Sequence, residues 1–144
     1  MILKVVDHNS PEFWSAVELR RKVLRRPLGL DFTPEELAAE GDFIHCVLLD
    51  DDGVVATATG TDYGDGSVKI RQVAVNNQLQ GKGYGREIML FAEEIGRRRG
   101  FHTAILHARA AVVDFYLKLG YELYDEPFVE VGIPHRKMRK SLNA

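Results

Sequence analysis

Val73-Ala74-Val75-Asn76-Asn77-Gln78-Leu79-Gln80-Gly81-Lys82-Gly83-Tyr84-Gly85-Arg86 is the stretch on which the reading of the fold turns. The apolar, β-branched run that leads into it (Val68, Ile70, Val73, Val75) has the pattern of a buried strand. A polar connector follows, then three glycines in five residues, then a helical pattern that begins near Tyr84. Glycine has no Cβ, so backbone amides can turn towards a ligand and approach it closely. The first turn of the helix adds unpaired N–H groups and the positive end of the helix dipole. Strand, glycine loop and helix N-terminus together make a site for a phosphate-bearing anion.

Two familiar phosphate loops do not fit these residues. A P-loop needs G-x-x-x-x-G-K-[S/T], whereas Lys82 lies between glycines with Tyr84 two places on. A dinucleotide loop needs G-x-G-x-x-G and an acidic residue at the end of the next strand. Here the spacing is G-x-G-x-G, and the next strand pattern, Thr103 to His107, holds no carboxylate. A third pattern, [Q/R]-x-x-G-x-[G/A] between a strand and a helix, is filled by Gln80-Gly81-Lys82-Gly83-Tyr84-Gly85. That resembles the acyl-coenzyme A pyrophosphate loop of the GNAT N-acetyltransferases. A tight strand-to-helix turn would use the same glycines, so the rest of the chain has to decide.

Composition bounds the answer. The 144 residues read as one domain, 1–144, large enough to bury a core. Apolar residues make up 45% and charged residues 28%, the balance of a soluble globule. The net charge of −2 gives no reason to expect nucleic acid or an anionic membrane as partner. The single Cys46 excludes an internal disulfide and sits in an apolar run, where an inert buried thiol is expected. No apolar stretch is long enough for a membrane span, and Met1 leads straight into a strand pattern, so the expected location is the cytoplasm.

Along the chain, Ile2 to Val6 reads as a strand, and Ser10-Pro11 opens a helix that runs towards Pro27 with Phe13, Trp14, Val17, Leu19 and Val23 on one face. Its basic cluster (Arg20, Arg21, Lys22, Arg25, Arg26) reads as a solvated face. Thr33-Pro34-Glu35-Glu36 is a capping box for a second, shorter helix. Phe43 to Leu49 and Val54 to Thr61 flank Asp51-Asp52-Gly53 as a hairpin, and Val68 to Val75 is the central strand. After the helix from Tyr84 to the Arg97–Arg99 triplet come a strand (103–107), a short helix (110–119), a strand (121–124), a crossing segment (125–132) and a final edge strand (135–139). The order β-α-α-β-β-β-α-β-α-β-β predicts an α/β (α+β) fold: a mixed β-sheet with helices on both faces. This order is similar to the GNAT fold over nearly the whole chain, and the last edge strand could pair in a homodimer.

Two further stretches carry the resemblance. Asp114-Phe115-Tyr116-Leu117-Lys118-Leu119-Gly120-Tyr121 is similar to the Y-x-K-x-G-[F/Y] segment of GNAT enzymes, although Arg109 and Val112 stand where the family often has asparagine and alanine. Phe128-Val129-Glu130-Val131-Gly132-Ile133-Pro134-His135-Arg136-Lys137-Met138 resembles the F-x-x-x-G-I-P-H-x-x-M tail of the ElaA/YjcF-like branch.

The resemblance implies an N-acetyltransferase that moves an acetyl group from acetyl-CoA to a primary amine of a small molecule or protein. It implies pyrophosphate binding by Gln80, Gly81, Lys82, Gly83, Tyr84, Gly85 and Arg86, and pantetheine contact at the backbone of Val73 and Val75. It implies Tyr116 as the acid for the leaving thiolate; a core role in the stripe Val112, Phe115, Tyr116, Leu119 is the alternative. A non-catalytic acyl-CoA-binding domain is the other reading of the whole chain. No metal is expected, since the five histidines show no ligand spacing. The general base stays open between Glu130, Glu40, His45, His135 and a water chain. Lys69 stands near where some family members carry a glutamate, and a charged lysine is a poor base unless desolvated. Asp31, Glu35, Glu36, Glu40, Asp42 and Glu130 flank the expected mouth and predict a positively charged acceptor.

Overall fold

In a computed structural model that describes residues 1–143, seven strands join one sheet in the order β1-β2-β3-β4-β5-β7-β6. The chain runs through β1 (Ile2–Val6), α1 (Pro11–Arg20), α2 (Pro34–Ala38), β2 (Ile44–Asp50), β3 (Gly53–Gly64) and β4 (Ser67–Val75). It continues through α3 (Tyr84–Arg98), β5 (Thr103–Arg109), α4 (Val113–Lys118), β6 (Glu122–Glu130) and β7 (Ile133–Ser141). The element order is the one the sequence predicts. Local chemistry starts the helices as expected: the Ser10 hydroxyl accepts from the Phe13 amide, and Thr33 and Glu36 close a capping box ahead of α2.

Two apolar layers sandwich the sheet. Val6, Val47, Phe13, Val17 and Leu37 pack α1 and α2 on one face. Val68, Ile70, Leu106, Ala108 and Met138 pack with Ile88, Met89 and Leu119 of the α3–α4 side on the other. Alternation along a strand then sends Lys69 and Arg71 of β4, and His107 of β5, to the α1–α2 face.

β4 and β5 are the parallel pair at the centre, and their pairing stops early. Ser67, Val68 and Lys69 face Thr103, Ala104 and Ile105; beyond these β4 runs on to Val75 and β5 to Arg109 without bonding to one another. A β-bulge lies where the strands part. Thr59 opposes Arg71 and Thr57 opposes Ala74, so Gln72 and Val73 together face Ala58. Gln72 takes φ 56°, a left-handed value uncommon for a residue with a side chain. The extra residue shifts the alternation, which turns Val73 and Val75 towards the α3–α4 layer that Val68 and Ile70 also join. The backbone edges of β4 and β5 that face each other across this gap are left open.

Several expectations are corrected. The first helix leaves α-geometry at Arg20, continuing as a π turn (Arg21–Arg25) and a 3-10 turn to Leu28. Trp14 is exposed and does not join the apolar layer. The last strand is not an edge: β7 is held between β5 and β6, and 125–132 is no crossing, since β6 runs on to Glu130 through a bulge after Tyr124. Val131 and Gly132, at φ 47° and 73°, form the two-residue turn into β7. The outer edges belong to β1 and β6. No helix among the described residues is long and apolar enough to cross a membrane.

Candidate active site

The gap between β4 and β5 opens into a cavity of about 760 Å³ that reaches both faces of the sheet. One end is the glycine loop. Gly81 and Gly83 hold φ 83° and 84°, and a Cβ built on either would meet nothing within 4 Å. Open space and left-handed backbone together make a cradle for a ligand that approaches the first turn of α3. Gly85 differs: a Cβ there would lie 3.2 Å from the Phe115 ring and 3.7 Å from Val75, so this glycine lets α3 pack against α4. Gln80, Tyr84 and Arg86 complete this end of the lining, with Val73 and Val75 beside it.

Tyr116 lies deeper, at 8% exposure, between Phe115 and Tyr121. No described residue hydrogen-bonds its hydroxyl, and burial raises its pKa to about 12. The phenol is therefore neutral and free to donate into the cavity.

His107, Glu130 and His135 line the other end. His107 Nδ1 lies 3.8 Å from one Glu130 oxygen, and His135 Nε2 lies 3.6 Å from the other. The Ile133 carbonyl accepts from His135 Nδ1 at 2.7 Å, which leaves Nε2 as that ring's open nitrogen. Both ring nitrogens of His107 are buried without a hydrogen-bond partner, between the rings of Tyr63 and Phe128. Its pKa is lowered from the ordinary 6.5, first by burial and then by the Lys69 charge, so it is a neutral imidazole with a free lone pair near neutral pH.

The family described as "Acetyltransferase (GNAT) domain" matches residues 31–142. The chain belongs to the GNAT family. A Bacillus subtilis relative that carries an acetyltransferase name is 29% identical over 129 residues, covering 88% of this chain and 87% of that protein. Three relatives from Bacillus subtilis and Streptococcus pyogenes are matched over 66%, 87% and 61% of their own lengths. The crystal structure of Escherichia coli ElaA superposes with a TM-score of 0.80 at 25% identity, over 96% of this chain and 98% of that one. An aminoglycoside 6'-N-acetyltransferase complexed with coenzyme A shares the fold, with a TM-score of 0.84 at 17% identity over 100% and 98% of the two chains.

Of the residues the sequence points to in this GNAT chain, Val73, Val75, Gln80, Gly81, Gly83, Tyr84, Gly85, Arg86 and Tyr116 all line the one cavity. Lys82 does not; it is exposed at the loop's outer side. Two candidate bases fall away. Glu40 is buried and takes two hydrogen bonds from Arg20, at 2.8 and 2.6 Å, and His45 is buried against the Glu40 carbonyl outside the cavity. Arg20, read as solvated, is only 1% exposed. The acidic mouth is also corrected: of the six carboxylates only Glu130 lines the cavity, while Asp31 and Glu36 face Arg21 and Arg25. His107 is the residue sequence reasoning missed. Its signal was an ionisable side chain inside an otherwise apolar strand, at the position that alternation turns away from α3.

Proposed function

We propose that this GNAT protein transfers an acetyl group from acetyl-CoA to a primary amine, with His107 as general base and Tyr116 as hydrogen-bond donor to the leaving sulfur. One observation carries the reading: the parting of β4 and β5 puts a glycine-rich helix entry, a neutral buried phenol and an unpartnered histidine on one cavity. The glycine cradle, Arg86 and the first-turn amides of α3 fit a pyrophosphate. The open backbone edge of β4 at Val73 and Val75 offers amide groups to a pantetheine arm laid along it, as an added strand would be.

The amine must attack the thioester carbonyl as its free base, so an ammonium ion first gives one proton to solvent. His107 takes the nitrogen's proton as the nitrogen–carbon bond forms and the carbon–sulfur bond breaks. Glu130, near both histidines, favours the imidazolium that results. Tyr116 donates to the sulfur, and the proton stays on its oxygen, since about 12 stands well above the ~8.5 of an ordinary thiol. Release of thiol from acetyl-CoA across a panel of primary amines tests the proposal. Amine-dependent release that falls by ~100-fold or more in His107→Gln supports it. Binding of acetyl-CoA without thiol release for any amine would favour a binding domain instead.

A further inference from the structure

The cavity is basic, and its cations do not all belong to one ligand. Arg86 stands at the α3 entry, on the side where the glycine cradle lies. Lys69 and Arg71 stand on the α1–α2 face, because Val68 and Ile70 between and beside them pack under α3. A pyrophosphate over Gly81 and Gly83 therefore leaves these two side chains unanswered.

Neither pairs with a carboxylate among the described residues, and Glu130 attracts Lys69 only from beyond ion-pair distance. No described carboxylate lies within ion-pair distance of Lys69 or Arg71, whereas the other cations nearby are engaged. Arg25 reaches Glu36 at 3.8 Å, Lys137 reaches Asp125 at 3.3 Å, and Arg109 donates to the Leu24 carbonyl at 3.2 Å. Lys69 and Arg71 instead lie over aromatic rings, Tyr63 at 5.9 Å and Phe43 at 5.5 Å. A ring steadies a cation without neutralising it. Each is part-buried; burial lowers the pKa of Lys69, Arg71 adds to that, and the more distant Glu130 charge opposes it without reversing it. Two like charges left open in a cavity raise its affinity for an anion.

We infer that the amine acceptor carries a compact anionic group, a carboxylate or a phosphate, which Lys69 and Arg71 bind while the amine faces His107 and Glu130. Residues two apart on a strand are ~6.6 Å apart along it, so both cations can bracket one such group. The arginine fork matches two oxygens of a carboxylate or phosphate. Glu130, the one carboxylate among the described lining residues, lies 3.8 and 3.6 Å from His107 and His135 and within ion-pair distance of neither Lys69 nor Arg71. An amine with an anionic tail would thus meet a carboxylate beside the two histidines and two cations without an ion pair on the same wall. This inference rests on the acetyl-transfer reading for the role of the amine, and its test separates the two.

Two matched pairs of probes decide it: β-alanine against propylamine, and phosphoethanolamine against ethanolamine. Each is titrated into the protein saturated with coenzyme A, and each is assayed for thiol release from acetyl-CoA. At least one anionic probe is expected to bind about tenfold or more tightly than its neutral partner, and the pair that separates tells carboxylate from phosphate. In Arg71→Gln and in Lys69→Gln that ratio collapses towards one, while Arg71→Lys keeps part of it. A preference seen in binding without thiol release would support the anion site and count against acetyl transfer. Thiol release with no preference, a ratio unmoved by both substitutions, or binding of none of the four probes would overturn the inference.

Discussion

Arg20 and the pair Lys69–Arg71 stand on the same side of the sheet and meet opposite fates. Arg20 is closed off: Glu40 takes both of its terminal nitrogens, and its guanidinium lies 4.6 Å from the centre of the Phe32 ring. Lys69 and Arg71 have rings but no carboxylate. A buried charge with its counter-ion inside the protein is already neutralised there, and removing either partner leaves the other uncompensated. A part-buried charge without one, on a cavity wall, waits for a ligand. Glu93 repeats the closed case under α3, where Tyr121 and Lys140 both donate to it.

The largest expected effect breaks the closed site. Glu40→Ala leaves a buried guanidinium uncompensated and should cost about 3–5 kcal/mol in urea unfolding, without any direct contact with the cavity. A loss under ~1 kcal/mol would mean that Arg20 finds water or another partner. Next comes Tyr116→Phe, which removes a hydroxyl that no described residue uses. Its rate of acetyl transfer should fall ~10-fold or more, mainly in kcat, with the thermal midpoint nearly unchanged. A midpoint that drops while the rate holds would return Tyr116 to the core. Gly83→Val forces a β-branched residue to φ 84° and fills the cradle. Acetyl-CoA affinity should fall by ~10-fold, alongside a stability loss of about 1–2 kcal/mol. The smallest effect belongs to the open site: Arg71→Gln should shift unfolding by no more than ~1 kcal/mol, since it gives up a cation–π contact with Phe43 but no ion pair. A loss as large as that of Glu40→Ala would erase the distinction between the two sites.

The strand–glycine loop–helix signal, the Ser10 cap, the Thr33–Glu36 capping box and the order of elements were legible because each rests on neighbours in sequence. Gln80 to Arg86 and Tyr116 were named from short motifs that resemble the family's, and all but Lys82 line the cavity. The parting of β4 and β5 was not legible, as it depends on a bulge at Gln72 that only pairing with Ala58 reveals. Without it, nothing marks Lys69, Arg71 and His107 as facing one another. The acidic residues misled for a related reason. Local sequence gives their charge but not their partners: Arg20 ends α1, and Arg21 and Arg25 belong to the π turn that follows it.

The pH dependence of kcat/KM for thiol release tests the central claim most directly. His107 must be neutral to accept a proton, and burial holds its pKa below 6.5. As pH falls through that lowered value the imidazole gains a proton, so, once the rate is corrected for the fraction of amine present as free base, the acid limb of the profile should lie below 6.5 in the native protein. In His107→Gln the rate should fall ~100-fold or more and that limb should vanish. A native rate and an unchanged acid limb in the variant would contradict the account.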